Sequence, residues 1–338
     1  MSVGNPDLPA LIGESPAFVE MLEHVSLAAH MRKPVLVIGE RGTGKELIAA
    51  RLHYLSERWE QRLLRVNCAA LTETLLESEL FGHEAGAFTG AAKAHIGCFE
   101  QADGGTLVLD ELGTIPARMQ EKILRVIEYG EFRRVGGSKT LRSDARIVGS
   151  TNENLPALVD QGAFRADLLD RLAFDVIRVP PLRERPEDIL TLAQHFAVNM
   201  TAELQRAFFA GFTTAVESQL LAHQWPGNVR ELKNTVERSL YRMTDPEAPL
   251  EALIFDPFGD AGDADASPSV MAPGERDAEK PSMPMDFRSA VSDYEISLIE
   301  AALEAAQFRQ TAAAEMLGLS YHQLRGLLKK YSLPRSGQ

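Results

Sequence analysis

Lys45 follows Gly39, Gly42 and Gly44 within VLVIGERGTGKE, the stretch from Val35 to Glu46. Glycines at those places leave backbone N–H groups bare, and a lysine at the far end adds positive charge, which together cradle phosphate. A carboxylate pair, Asp110–Glu111, ends a second apolar run, Gly105 to Leu109. Beside a phosphate loop, one such acid holds a metal ion, usually through water, and the other polarises an attacking water. The plainer readings are a glycine turn that merely joins two elements and a solvated strand cap. They explain neither the lysine nor the paired acids. The chemistry implied is binding and hydrolysis of a nucleoside triphosphate.

Those groups need a frame. Val35 to Ile38 has the length and residue type of a buried strand, and Leu47, Ile48, Leu52 and Leu55 recur behind the loop at helical spacing. Lys45 therefore sits at a strand-to-helix turn, with Glu46 where Ser or Thr usually follows the lysine. A helix is predicted from about Pro16, with Leu22, Val25, Ala28 and Ala29 on its apolar side, after Leu11, Ile12 and Gly13. Leu63 to Val66 reads as a strand ending at Asn67, and Arg146 to Ser150 as one ending at Thr151 and Asn152. From Arg183 to Tyr241 the pattern is helical, through Ile189, Leu192 and Phe196 and then Leu232, Val236 and Leu240. Pro180–Pro181 marks the hinge ahead of it.

Composition bounds the rest. A chain of 338 residues with 45% hydrophobic residues has material for two domains, or for one large domain with a small appendage. Two cysteines, Cys68 and Cys98, give no disulfide framework and no metal-ligand pair, which fits a reducing compartment. The opening MSVGNPDLPA lacks a signal-peptide pattern, and no apolar run approaches the ~18 residues of a membrane span. The expectation is a soluble, cytoplasmic protein without membrane insertion. Few residues precede the phosphate loop, too few for a folded input domain, so control is expected from another protein. In SERWEQR, Trp59 is either half-buried against its own domain or a docking point, since Trp is enriched in interface hot spots.

The net charge of −13 argues against nucleic acid, but the total hides an asymmetry. Asp256 to Lys280 holds seven acidic and two basic residues, whereas Gln307 to Gln338 holds five basic and one acidic. Local field decides whether a phosphate backbone is attracted, which makes the tail the candidate. Asp256 to Asp286 is rich in Pro, Gly, Ala and acids and predicts a linker. Ser292 and Glu295 have capping-box spacing ahead of Ile296, Ile299 and Leu303. A second helix over about Thr311 to Leu317 ends at Gly318, and a third runs from Ser320 to Tyr331. Short helices with a glycine turn before a basic last one make a helix-turn-helix. In it Ser320, Tyr321, His322, Gln323 and Arg325 sit where DNA base edges would be reached, and Lys329 and Lys330 where phosphates would lie. A helical protein-docking domain is the alternative. Gly326 inside the last helix costs it ~1 kcal/mol relative to Ala.

Between the phosphate loop and the acid pair lies Gly86-Ala87-Phe88-Thr89-Gly90-Ala91, an aromatic among small residues that gains little burial. It reads as a flexible loop presenting one aromatic tip. GERGTGKE, GAFTGA, GGTLVLDE, FRADLLDRL, VPPLRERPEDI and WPGNVREL then occur in the order seen in bacterial enhancer-binding proteins, the AAA+ activators of sigma-54 RNA polymerase. The chain resembles that family from about residue 8 to 258 and again in the tail, and within it looks most like phage-shock activators.

The resemblance implies an α/β AAA+ P-loop ATPase with a helical lid and a C-terminal all-α Fis-type helix-turn-helix domain. The implied division is 1–174 for the α/β part, 175–256 for the lid, 257–288 for the linker and 289–338 for the DNA-binding domain. ATP with Mg2+ is the implied ligand pair, held by Gly39, Glu40, Arg41, Gly42, Thr43, Gly44, Lys45 and Glu46, with Ile12 and Gly13 beside them. By resemblance Asp110 is the metal-associated acid, Glu111 activates water, and Asn67 holds that glutamate and switches with the γ-phosphate. Thr151 and Asn152 match a first sensor and Arg230 a second, while Arg165 and Arg171 match fingers that act on a neighbouring subunit. Arg41 departs from a common Ser, Leu169–Asp170 from a frequent Tyr–Tyr, and Arg309 from a common Asn. Glu131 to Gly137 resembles a second surface loop that moves with GAFTGA. The partners implied are sigma-54 holoenzyme, enhancer DNA, further copies in a hexamer, and the inhibitory regulator PspA, with Trp59 as its docking candidate. A repressor that uses ATP only as a ligand, or an unfoldase or helicase of the same ATPase class, are the rival functions.

Overall fold

Val35–Ile38 forms β1, and its place in the sheet explains why the phosphate loop lies where it does. The parallel sheet has the order β2 (Leu63–Asn67), β3 (Thr106–Asp110), β6 (Arg146–Thr151), β1, β7 (Asp175–Arg178). Registers Asn67↔Asp110, Leu109↔Gly149 and Ile38↔Thr151 bring the carboxyl ends of β2, β3, β6 and β1 to one edge. In open α/β sheets that edge is where ligands bind. A two-stranded hairpin, β4 (Glu131–Arg133) with β5 (Thr140–Arg142), stands apart from the sheet.

Side chains alternate across the strands, as a period of two requires. Leu36, Leu107, Leu109 and Ile147 face one way, into a core shared with α3 (Glu73–Phe81), α4 (Cys98–Gln101), α5 (Ala117–Tyr129), α6 (Leu155–Asp160) and α7 (Ala166–Leu172). Val35, Val37, Val108, Val148 and Ile177 face the other way, onto α1 (Pro16–Ala29) and α2 (Lys45–Tyr54). Both faces are covered, which is the usual state of a parallel sheet. On α2 the buried stripe is Ile48, Ala49 and Leu52, while Leu47 is 40% exposed.

Helices α8 (Glu187–Glu203), α9 (Thr214–Ala222) and α10 (Asn228–Tyr241) share a separate core built on Ile189, Leu192, Leu220, Trp225, Leu232 and Val236. Asp175–Arg178 pairs with β1, so the parallel sheet takes in residues beyond 174; the strand is four residues long and begins and ends on a charged one, which hides it in the sequence. The hairpin is likewise absent from the sequence reading, because its strands carry no apolar run.

The computed structural model describes residues 11–88, 90–258, 292, 295–299, 302–303, 306, 309–319 and 321–331. The expected linker, Thr89 and Ser320 therefore lie outside the described residues, for the linker all but its first two positions. The chain divides into two compact units, Met1–Gly259 and Asp260–Gln338. In the second, Ile299, Leu303, Ala313, Ala314, Leu324 and Leu328 form a core with helices over Gln310–Met316 and Tyr321–Lys330. Gly318 (φ +66°) makes the left-handed turn between them. Among the described residues no helix is long and apolar enough to cross a membrane.

Candidate active site and associated surfaces

The loop from Gly39 to Gly44 leaves β1 and enters α2 at Lys45. Gly42 (φ +77°) and Gly44 (φ +98°) occupy the left-handed region that other residues avoid. Lys45 is 8% exposed, and its Nζ donates to the carbonyls of Gly39 (2.9 Å) and Glu40 (3.0 Å), with no acid as direct partner among the described residues. Thr43 Oγ1 also donates to Glu40 O, at 2.8 Å. Burial pushes the Lys45 ammonium below the ordinary lysine range; Glu111 and Asp110 pull it back, and Arg230 and Arg41 push it further down.

A cleft of about 840 Å³ opens on these groups, lined by Lys45, Asp110 and Glu111 on one side and Arg230 of α10 on the other. Arg41, Glu46, Lys233 and Asn234 also line it. Glu46 is engaged by Arg65 at 2.7 Å and Lys233 lies 3.8 Å from Glu237, so Arg41, Lys45 and Arg230 remain against Asp110 and Glu111. That surplus of positive charge suits a polyphosphate. An apolar recess with Leu11, Ile12, Phe18, Ile48, Leu192 and Phe196 shares Gly44, Leu47, Phe196 and Val229 with the cleft. Its size and lining suit a flat ring system. Ile12 is at this recess; Gly13 is instead a packing position, where an added Cβ would lie 2.5 Å from Phe18 and 2.7 Å from Asp188.

Asp110 ends β3 and accepts a hydrogen bond from Ser150 Oγ through Oδ1. Glu111 follows with φ +52°, unusual for glutamate, and its carbonyl holds Thr114 Oγ1 at 2.8 Å. The turn aims its carboxylate at the cleft that Asp110 also lines. Asn67 stands beside Asp110 in the sheet, but its Oδ1 accepts from the amides of Ala69 (2.9 Å) and Ala70 (3.1 Å). Among the described residues no hydrogen bond joins it to Glu111. Thr151 is wholly buried and its Oγ1 accepts from Glu153 N at 3.0 Å, so its hydroxyl serves the strand end. Asn152 Oδ1 is buried without a donor. An orphaned acceptor at this edge, the bare loop amides and a lysine lacking an acid partner fit a site that receives a nucleotide and its water.

Glu40 lies in the phosphate loop between β1 and α2. Its carboxylate turns from the cleft to Arg183, at 2.5 and 2.8 Å, and to Asn228 Nδ2, at 3.1 Å. A carboxylate facing the phosphates would repel them; here cationic Arg183 neutralises it. Asn228 and Arg183 escaped the sequence reading, although Pro-Gly-Asn ahead of a helical run marks a turn that could have been weighed.

Arg165 and Arg171 do not line the chain's own cleft or recess. Arg165 N donates to Gln120 Oε1 at 2.8 Å, and its guanidinium grips Asp167 at 3.0 and 2.7 Å. Arg171 Nε donates to Glu128 Oε1 at 2.8 Å.

The GAFTGA segment is also not as expected. Phe88 is half-buried, its ring edge-on to His83 at 4.9 Å, rather than presented as a bare tip. Gly86 N donates to Ala91 O at 2.7 Å and Ala91 N to Phe88 O at 3.0 Å, closing the loop. Gly90 is exposed, and Ala87 packs so near Gly136 that an added Cβ there would lie 2.8 Å from its methyl. The loop thus rests on the segment leading from β4. Trp59 is 47% exposed.

On the last helix Tyr321, Gln323, Arg325, Lys329 and Lys330 are exposed, opposite buried Leu324 and Leu328. Lys330 Nζ lies 3.5 Å from Glu295 and 4.3 Å from the Tyr331 ring centre, so it is engaged within the unit. The His322 side chain is outside the described residues.

Residues 11–178 match the sigma-54 interaction domain family, 183–264 the AAA+ ATPase lid domain, and 290–331 the Fis family of bacterial regulatory proteins. The Psp operon transcriptional activator of Escherichia coli K12 is 55% identical over 323 residues, 96% of this chain and 98% of the relative. The Nif-specific regulatory protein of Azotobacter vinelandii is 44% identical over 93% of this chain and 57% of its own length. The crystal structure of NtrX from Brucella abortus in complex with ATP superposes with a TM-score of 0.70 at 31% identity, covering 96% of this chain and 70% of that one. Its complex with ADP gives 0.69 at 30% identity, over 96% and 69%. With a nucleotide-shaped cleft between sheet edge and lid and a relative matched along almost its whole length, the chain belongs to the AAA+ enhancer-binding activators of sigma-54-dependent transcription.

Proposed function

We propose that the protein binds enhancer DNA upstream of sigma-54 promoters, assembles as a hexamer and hydrolyses ATP to remodel the closed promoter complex. The observation that carries this reading is a division of labour on one frame. Lys45, Asp110, Glu111 and Arg230 line the cleft, whereas Phe88 lies outside its lining, on a loop none of whose described residues lines it.

Lys45 offsets charge on the terminal phosphates, and the loop amides hold their oxygens. Asp110 would hold Mg2+, which when bound screens the phosphate charge. Glu111 orients a water and receives its proton as the oxygen attacks the γ-phosphorus and the bond to the bridging oxygen breaks, releasing ADP and phosphate. Asn67, beside Asp110, exchanges its turn amides for the Glu111 carboxylate in one of the two nucleotide states, with Thr151 and Asn152 sensing the strand end. Arg230 links the phosphates to the lid. Arg165 and Arg171 enter a neighbour's cleft and stabilise transition-state charge, which makes hydrolysis depend on assembly.

Gly86, Ala87, Phe88, Thr89, Gly90 and Ala91 contact sigma-54. Ser320, Tyr321, His322, Gln323 and Arg325 reach base edges while Lys329 and Lys330 meet phosphates. The similarity to the Psp operon activator supports the phage shock operon as target, with PspA as an inhibitor that docks at Trp59. The test is an isomerisation assay with sigma-54 holoenzyme, promoter DNA and ATP. Open complexes should form with ATP and not with a non-hydrolysable analogue. No open complexes with ATP would remove the reading.

A further inference from the structure

Asn228 begins α10, yet its side chain serves three segments far apart in sequence. It is wholly buried with φ +52°. Its Oδ1 accepts from Leu182 N at 2.8 Å, in the turn after β7. Its Nδ2 donates to Glu40 Oε2 (3.1 Å) and Arg41 O (3.1 Å) of the phosphate loop, and lies 3.4 Å from Pro226 O. One donor on one side and three acceptors on the other fix which way the amide points.

The same seam is tight along its length. Arg230 N donates to Gly42 O at 3.3 Å, and a Cβ on Gly42 would lie 2.2 Å from Gly227 O. Arg183 holds the Glu40 carboxylate from the hinge side. The Glu40 carbonyl in turn accepts from Lys45 Nζ and Thr43 Oγ1. The bonds therefore run in series, from Asn228 to Glu40 and from Glu40 to Lys45.

We propose that Asn228 is a positioning residue for the phosphate loop: its amide sets Glu40 and Arg41, and through Glu40 the place of Lys45, so that the loop's fit to a nucleoside triphosphate depends on where the lid sits. The inference rests on the ATPase reading above. A left-handed backbone alone would also favour Asn at this position, so the amide and the backbone must be tested apart.

Asn228→Gly retains the left-handed backbone and removes the amide. Asn228→Asp retains the acceptor for Leu182 N but sets a carboxylate against Glu40 and two carbonyls. In the full-length protein, binding of ADP and of ATP is measured by calorimetry, with kcat, KM and Tm in parallel. Asn228→Gly should weaken both nucleotides by about tenfold, the scale of one charge-assisted hydrogen bond, and raise KM more than it lowers kcat. Asn228→Asp should weaken them further, and Glu40→Gln added to it should restore part of the loss, because the new amide donates to the carboxylate introduced at position 228. Wild-type affinities and KM in Asn228→Gly would overturn the proposal, as would a double variant no better than Asn228→Asp. If both single variants fail to fold, Glu40→Ala, at a half-exposed side chain, must reproduce the loss of affinity or the proposal falls. Should the wild-type chain itself bind nucleotide without hydrolysing it, the ATPase reading fails while the affinity comparison still stands.

Discussion

Arg171 donates through Nε to Glu128 Oε1 at 2.8 Å, so the arginine proposed as a finger is held by an acid of its own chain. The Arg171 side chain is 61% exposed, and such a pair contributes about 0–1 kcal/mol. It is weak enough to exchange for a neighbour's phosphate. Arg171→Ala should therefore keep its Tm within about 2 °C while turnover falls by roughly 10³-fold, the lower end for a lost finger. Mixing it with Glu111→Ala subunits should restore some turnover, since each supplies what the other lacks. No recovery on mixing, together with activity independent of concentration, would place the finger in its own cleft.

Much of the frame was readable in advance for one reason. Val35–Ile38 and Thr106–Asp110 carry apolar runs that stop at a glycine and a carboxylate, and Leu63–Asn67 and Arg146–Thr151, though interrupted by polar residues, carry apolar pairs of the kind a parallel strand packs. The hairpin β4–β5 has no such run, since Glu131–Arg133 and Thr140–Arg142 are mostly polar. Lys45, Asp110 and Glu111 stood out through local patterns at strand ends and Arg230 through the resemblance of WPGNVREL, and all four line one cleft. Asn228 was not, because its partners at Glu40 and Leu182 are 188 and 46 residues away. The pairing of Glu40 with Arg183 was hidden for the same reason, since the two are 143 residues apart. Phe88 looked exposed because its neighbours are small, but the ring that covers it belongs to His83, outside the motif.

Cys68 and Cys98 are both buried, and burial pushes each thiol up to about 12, with Asp110 and Glu111 adding to the effect at Cys68 and Glu79 at Cys98. A raised pKa leaves almost no thiolate, the reactive form, near neutral pH. The folded protein should resist iodoacetamide at about pH 8, with both residues alkylated once denaturant is added. Mass spectrometry that finds either cysteine labelled within minutes in the native protein would contradict that environment.

Hydrogen bonding to Arg183, then to Asn228, holds the Glu40 carboxyl at about 2 against an ordinary 4.5. A depressed acid stabilises the fold fully above its unfolded value, and that contribution is lost as pH falls through the folded one. The side chain is 43% exposed, so solvent screening makes the contribution modest. Thermal unfolding of wild type and Glu40→Gln should differ by a constant Tm gap from about pH 6 to 8. Below about 4.5 the gap should narrow and close toward 2. A gap of the same size at pH 3 would mean that the Glu40 charge is not what joins loop to hinge.

Phe88 rests edge-on against His83, half-buried, on a loop none of whose described residues lines the cleft. Its contact with one small aromatic surface is modest, whereas full burial of a Phe side chain contributes ~1.5–3 kcal/mol. A partner that offers deeper burial can therefore draw the ring away from His83, and several loops in one assembly multiply a modest contact through local concentration. Phe88→Ala should accordingly retain assembly and appreciable ATP hydrolysis while losing sigma-54 capture in a transition-state-analogue complex, and open-complex formation with it. Thr89→Ala should behave similarly, because Thr89 is the next residue of the same motif. Glu111→Ala is the control, losing turnover with the loop intact. Normal activation by Phe88→Ala would make GAFTGA a structural turn here and remove the contact on which the remodelling step depends.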